Sequence, residues 1–184
     1  MKIKTKSDII ALLRNDLTRW RAFGYVEKLG LPNGCIAAGF IRNLVWDYLH
    51  GKKSDCKAHD LDVLYYEPNK VAGSHDQAIE DELKIAHPDF KWSVKNQARM
   101  HTQNNDEPYT SIEAAMLSWP ETATAIAAHR EGEQCVITAP FGLNDLITMT
   151  LRPTSKRPNK MEAFNKRCEE KRWMSRWPKI IIVD

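Results

Sequence analysis

No stretch of the 184-residue chain approaches the roughly 18 to 20 consecutive apolar residues that a membrane-spanning helix requires. The opening residues, Met1 to Asp8, are polar and lack the apolar centre of an export signal. Both absences predict a protein that stays in the cytoplasm, with no membrane partner. Cysteine is sparse. Cys35, Cys56, Cys135 and Cys168 form no CxxC pair, and no histidine stands at zinc-finger spacing. That pattern argues against a structural zinc site or a disulfide scaffold and predicts reduced, structural thiols. A strong excess of one charge sign is also missing: the net charge of +3 falls short of the density that by itself indicates a nucleic-acid partner. There is no internal repeat and no low-complexity segment, which excludes solenoids and long disordered tracts.

What is present suits one compact domain: 42% of the residues are hydrophobic, enough for one sizeable core in a chain too short for two roomy ones. The expected organisation is a single domain over 1–184, with N-terminal helices in 1–30, a core in 35–151 and a basic helical segment in 152–184. Ser7 and Asp8 offer a helix cap before Ile9, Ile10, Leu12 and Leu13. A second helix is expected from Asp16 to Leu29. Cys35 to Ala38 reads as a buried strand, Gly39 ends it, and Ile41, Leu44, Val45, Tyr48 and Leu49 form one helical face as far as Gly51. Further strands are expected at Leu61 to Tyr65, Phe90 to Val94, Thr124 to His129, Cys135 to Ala139 and Ile180 to Val183. Helices are expected at Ser74 to Ala86, Leu143 to Leu151 and Met161 to Trp173. The fold class is therefore α/β (α+β), a short mixed sheet flanked by helices.

The chemistry concentrates at Asp60 and Asp62. Two residues apart on a strand, they leave the same face, roughly 6.5 to 7 Å apart. Placing two carboxylates side by side costs desolvation and mutual repulsion, and a divalent cation offsets both. Two magnesium ions about 3.5 to 4 Å apart suit such a pair, one activating an attacking oxygen and the other steadying a leaving phosphate. Upstream, the strand, glycine turn and helix of Cys35 to Gly51 present a helix start whose free N–H groups and dipole favour an anion. Phosphate and metal would share one pocket.

The string Ala38-Gly39-Phe40-Ile41-Arg42-Asn43, then Leu49-His50-Gly51, then Asp60-Leu61-Asp62-Val63, resembles the signature of the DNA polymerase beta-like nucleotidyltransferases. In particular it is similar to the motif order of tRNA CCA-adding enzymes. The segments Trp92 to His101, Trp119 to Ala125 and Ala139 to Leu146 resemble a less studied bacterial family of short nucleotidyltransferases, and the likeness runs from about residue 20 to Pro178. The resemblance implies a nucleotidyltransferase-like fold and a magnesium-dependent transfer of a nucleoside monophosphate from a nucleoside triphosphate to an acceptor hydroxyl on RNA, protein or a small molecule. It implies that Gly39 brings the backbone up to the triphosphate, that Arg42 contacts phosphate with Ala38 and Asn43 in the same turn, and that Asp60 and Asp62 ligate two magnesium ions. Ala38 stands where the superfamily usually has glycine, and Asn43 replaces the aspartate of the CCA-adding pattern. Many relatives add a third carboxylate from a later strand. Here Asn96, as a neutral ligand, or Asp89 at the strand start are the candidates.

Other positions carry two readings each. Arg99 and His101 either reach a nucleotide or serve as a salt bridge and a satisfied histidine. Thr122 and Thr124 alternate on an expected strand start, and Asn144 or Asp145 reads as a helix cap. The ten Lys or Arg against three Glu between Arg152 and Lys179 form a phosphate-attracting face or a solvated helix. Trp173 and Trp177 interleave with Lys171, Arg172 and Arg176 as a base-stacking surface would. Alternatives to the enzyme reading are a non-catalytic nucleotide-binding module and an RNA-binding accessory protein.

Overall fold

A computed structural model describes residues 2–183. Helix α1 spans Lys6–Asn15, and its cap is Thr5 rather than Ser7. The Thr5 hydroxyl accepts from Asp8 N at 3.2 Å while the Asp8 carboxylate accepts from Thr5 N at 2.9 Å, a reciprocal box that satisfies both ends of the first turn. Asp16 ends α1 and caps α2 (Leu17–Lys28), accepting from Arg19 N at 3.0 Å. Strand β1 (Cys35–Ala37) leads directly into α3 (Gly39–Leu49), and then follow β2 (Asp60–Tyr65), α4 (Gly73–Ala86) and β3 (Lys91–Asn96).

Two short helices, α5 (Gln97–Asn104) and α6 (Ile112–Leu117), fill a region in which no element was expected. The hairpin β4 (Ala127–Glu131) and β5 (Gln134–Thr138) completes the sheet. Thr122–Thr124 is a 3-10 turn instead of a strand start, because the Thr124 hydroxyl donates to the Glu121 carboxylate at 2.7 Å and bends the backbone locally. The expected helix over Leu143 to Leu151 shrinks to α7 (Asn144–Ile147). Met149 turns left-handed at φ 56, and β6 (Thr150–Leu151) pairs in parallel with the final strand β7 (Ile181–Ile182). Between them lie α8 (Pro158–Lys171), which Arg172 ends at φ 46, and α9 (Trp173–Arg176).

The main sheet has the order β3-β2-β1-β4-β5, with β2 and β3 parallel and the other neighbours antiparallel. Its two faces differ. Ile36, Leu61, Val63, Tyr65, Trp92 and Val94 pack into the larger core with Phe23, Ile41, Val45 and Trp46 from the helices. Cys35, Ala37, Leu64 and Ala127 point the other way, toward a smaller cluster closed by Ile112 and Met116 of α6. Alternation puts Asp60 and Asp62 on this thinner face, which leaves room for a cleft. The C-terminal segment closes onto α3: Trp177 and Trp173 stand edge-on to Trp46 at ring separations of 5.1 and 6.2 Å. Among the described residues the four cysteines are free, and no helix is long and apolar enough to cross a membrane.

Candidate functional site

The antiparallel register of β1 and β2 sets Ala37 directly across from Asp62. One residue later the chain turns sharply at Ala38, held at φ 51 and ψ −118 while its N–H donates to Ile126 O at 2.8 Å. Few non-glycine residues take up such a backbone, and strain of this kind gathers at sites where a chain must change direction beside a ligand. Gly39 then opens α3, and no side chain caps that helix. The first amides of α3 are thus left for an anion, next to the carboxylates of β2.

Asp60 is exposed and Asp62 half-buried. Burial, and then the neighbouring Asp60 charge, push the Asp62 carboxyl up to about 6, against the pull of Arg42, Arg167 and Lys171. Arg42 lies 7% exposed between two indoles, its guanidinium carbon 5.2 Å from the Trp46 ring and 4.9 Å from the Trp173 ring. Its Nη2 donates to Asn43 Oδ1 at 2.8 Å. Burial lowers the Arg42 pKa to about 10, so the side chain still carries its charge at neutral pH.

Three more cations come from the C-terminal segment. Arg167 donates from Nε to the fully buried carboxylate of Glu121 at 2.5 Å. Arg176 pairs with buried Asp47 at 3.0 Å and also reaches Nε2 of His59, and Lys171 follows on the end of α8. All of these cations line one cleft of about 400 Å³ together with Ala38, Gly39, Asn43, Asp60 and Asp62. Sequence spacing gave no role to Glu121 or Arg167, which lie more than fifty positions from β2; Glu121 falls in the Trp119 to Ala125 segment of the resemblance, but nothing in that segment assigned it a task. The only signal was the bias of the last segment toward Lys and Arg.

Asn96 and Arg99 are not in this cleft. Asn96 pairs with Tyr65 in the β2–β3 register, an odd number of residues from Asp62, and so faces the opposite side of the sheet. Its side chain is fully buried: Oδ1 accepts from Ala98 N and Glu67 N, each at 3.1 Å, and Nδ2 donates to Glu67 O and Lys70 O, each at 2.8 Å. Arg99 donates from Nε to Asp76 at 2.8 Å, and Asp76 also accepts from the Tyr65 hydroxyl at 2.6 Å. These residues fasten α4 and α5 to the sheet. His101 is engaged with Ala98 O at 3.1 Å.

Asp89 is at the surface and pairs with Lys57 at 2.5 Å. The residues of β3 opposite Asp60 and Asp62 are Lys91 and Ser93, neither of them acidic. Among the described residues no group of three or more His, Cys, Asp or Glu side chains is placed to hold a metal ion. The donor set available is thus two carboxylates, hard oxygen ligands that suit magnesium with the rest of its shell taken from water and phosphate. The raised pKa of Asp62 fits a site whose repulsion a cation would relieve.

Two further readings are corrected. Trp173 and Trp177 are 4% and 1% exposed, so they pack against α3 and do not form an open stacking surface. Asp145 does not cap α7. It accepts from the Thr122 hydroxyl at 2.7 Å and from Arg152 at 3.2 Å, which ties the turn at residue 122 to the edge of β6.

Comparison with known proteins agrees with this architecture. A family model described as Nucleotidyltransferase matches residues 24–182. A structure determined by NMR and described as revealing a CCA-adding enzyme head domain superposes with a TM-score of 0.89 at 28% identity, over 99% of this chain and 97% of that one. The Thermotoga maritima CCA-adding enzyme complexed with tRNA gives a TM-score of 0.60 at 15% identity, and a CCA-adding enzyme in complex with CTP gives 0.61 at 14%. In both cases all of this chain is covered but only 44% of the other, so it spans less than half the length of those enzymes. No curated protein matches. The matched family and the shared fold together make this chain a member of the nucleotidyltransferase family, on the polymerase beta-like scaffold.

Proposed function

We propose that this protein transfers a nucleoside monophosphate from a nucleoside triphosphate to an acceptor hydroxyl, with Asp60 and Asp62 holding magnesium. One observation carries the reading: the carboxylate pair, the uncapped start of α3 and the cations Arg42, Arg167, Lys171 and Arg176 converge on a single cleft. Gly39 and the first amides of α3, with Arg42 held by Asn43, take the polyphosphate. Magnesium bound at the aspartates would neutralise charge on the phosphates and make the leaving oxygen easier to release. Arg167 and Lys171 steady the charge that builds up as pyrophosphate departs. The acceptor oxygen forms its bond to the α-phosphorus, the bond to the β-phosphate bridge breaks, and the hydroxyl proton passes to solvent. The relatives solved with CTP and with tRNA support a nucleotide donor and an RNA acceptor. A cytoplasmic setting supplies both, together with magnesium.

The lack of an acidic residue at Lys91 or Ser93 favours a second reading, a protein that binds the triphosphate without turning it over. Calorimetric titration of each ribonucleoside triphosphate, with magnesium or with chelator, tests the site. Binding that requires the metal and is lost in the Asp60→Asn, Asp62→Asn double variant is expected. Unchanged metal-dependent binding in that variant would remove the assignment. Incorporation of α-labelled nucleotide into total RNA separates the enzyme from the binding module.

A further inference from the structure

Among the described residues, Asp60 and Asp62 are the only carboxylates that line the cationic cleft. A pair of ions about 3.5 to 4 Å apart needs a carboxylate to bridge them and further oxygen ligands for the second ion. Two other acids bond to residues of the wall, and both are committed. Glu121 is fully buried, with one oxygen accepting from Arg167 Nε at 2.5 Å and the other from the Thr124 hydroxyl at 2.7 Å. Asp47, 1% exposed, accepts from Arg176 at 3.0 Å and from the Trp177 indole at 2.8 Å. Turning either acid toward Asp62 would leave buried donors without an acceptor. His59 is engaged as well, its Nε2 meeting Arg176. The neighbouring strand offers no acid. On β3 the residues that share the face of the pair are Lys91 opposite Asp60, Ser93 opposite Asp62, and Lys95 opposite Leu64. Lys91 Nζ is hydrogen-bonded to Ala58 O at 3.3 Å, and Lys95 lines a chamber that adjoins the cleft at Asp62.

We infer that this site takes a single divalent ion with the triphosphate, and that the row Lys91, Ser93, Lys95 on β3 excludes a second. The inference rests on the triphosphate reading above and narrows it. Spacing along β2 by itself suits two ions, but charge and ligand count beside β2 do not. One dication balances the two aspartates, and phosphate oxygens with water complete its octahedral shell. A second dication would add two more positive charges beside two ammonium groups, and its one new protein ligand would be the neutral Ser93 hydroxyl. Repulsion of that kind is poorly screened in a half-buried cleft. The acceptor hydroxyl accordingly meets no second ion, and its proton goes to solvent.

The test counts ions by electron paramagnetic resonance of Mn²⁺, which stands in for magnesium. A lone ion shows its own hyperfine pattern, whereas two ions at bridging distance give a spin-coupled spectrum. The ligands are the α,β-methylene analogues of the four ribonucleoside triphosphates, which cannot undergo transfer, and calorimetry on the same samples establishes that one of them binds. The proteins are wild type and Ser93→Asp, which places an acid opposite Asp62, with circular dichroism confirming the fold of each. Wild type should hold one ion per bound triphosphate, uncoupled, at every Mn²⁺ concentration. Ser93→Asp should gain a second, coupled ion. If that variant does not fold, Lys91→Asp, at an exposed position opposite Asp60, takes its place. A coupled spectrum or two ions in wild type overturns the inference while leaving the triphosphate cleft standing. A folded variant that binds the triphosphate and still holds one ion overturns it as well, because β3 would then not set the count. If no analogue binds to folded wild type, the triphosphate reading itself fails, and the single-ion assignment falls with it.

Discussion

Trp177 donates its indole N–H to Oδ1 of Asp47 at 2.8 Å, joining residues 130 positions apart in the chain. The same carboxylate, 1% exposed, accepts from Arg176. Through this pair the end of the chain is laid against α3, and Arg176, Lys171 and Trp173 are brought to the wall of the cleft. Asp47→Ala removes the shared acceptor and leaves the buried indole N–H without a partner. The expected cost is about 2 to 4 kcal/mol, read as a lower urea midpoint. Triphosphate affinity should fall in the same variant, although Asp47 is not among the residues lining the cleft.

The strain at Ala38 predicts an improvement. A residue held at φ 51 and ψ −118 is better served by glycine, which has no Cβ to clash there. Ala38→Gly should stabilise the protein by about 1 kcal/mol despite the greater freedom of the unfolded chain. A thermal melt that shifts downward would show that the turn is not strained.

Gly39→Ala separates binding from stability. A Cβ there would meet Arg42 Nη2 at 3.4 Å and Asn43 Nδ2 at 3.6 Å, ordinary contacts at the first turn of a helix. Stability should stay within about 0.5 kcal/mol of wild type. The methyl group would occupy the approach to the α3 amides, so triphosphate affinity should drop by about tenfold. Unaltered affinity would mean that the ligand does not approach this turn.

Asp62 makes stability depend on pH in the metal-free protein. Its folded pKa is raised, so the native state holds the proton longer than the unfolded chain does. Stability therefore falls as pH rises from about 4 to about 6, and the penalty persists above that window. Asp62→Asn should raise stability by about 1 to 2 kcal/mol at pH 8 and by nearly nothing at pH 4. Urea unfolding with chelator at both values checks the difference. An equal gain at both would trace the effect to packing and not to charge.

The carboxylate pair, the glycine turn and the helix behind it were legible in the sequence because each is local. Two acids in phase on one strand, a break at Gly39 and an apolar face over Ile41 to Leu49 are each read within a dozen positions. The same local reading misplaced Asn96. Its proximity to the expected strand end was clear, but only the pairing of Tyr65 with Asn96 shows that it points away from Asp62. Thr122 and Thr124 were misread for a related reason: their hydroxyls bond to Asp145 and Glu121, which propensity does not see.

By itself the sequence determined the secondary pattern around residues 35 to 65, with an acid pair on the strand that follows the glycine turn and helix, since periodicity and residue type act over a few neighbours. The tertiary structure alone decided which cations face the carboxylates. Arg167 is aimed by a buried Glu121 lying 46 positions away, and Arg176 by an Asp47 lying 129 positions away. Contacts of that reach depend on how strands and helices pack, because a buried charge takes its position from the partner that offsets its desolvation, wherever the fold has put that partner.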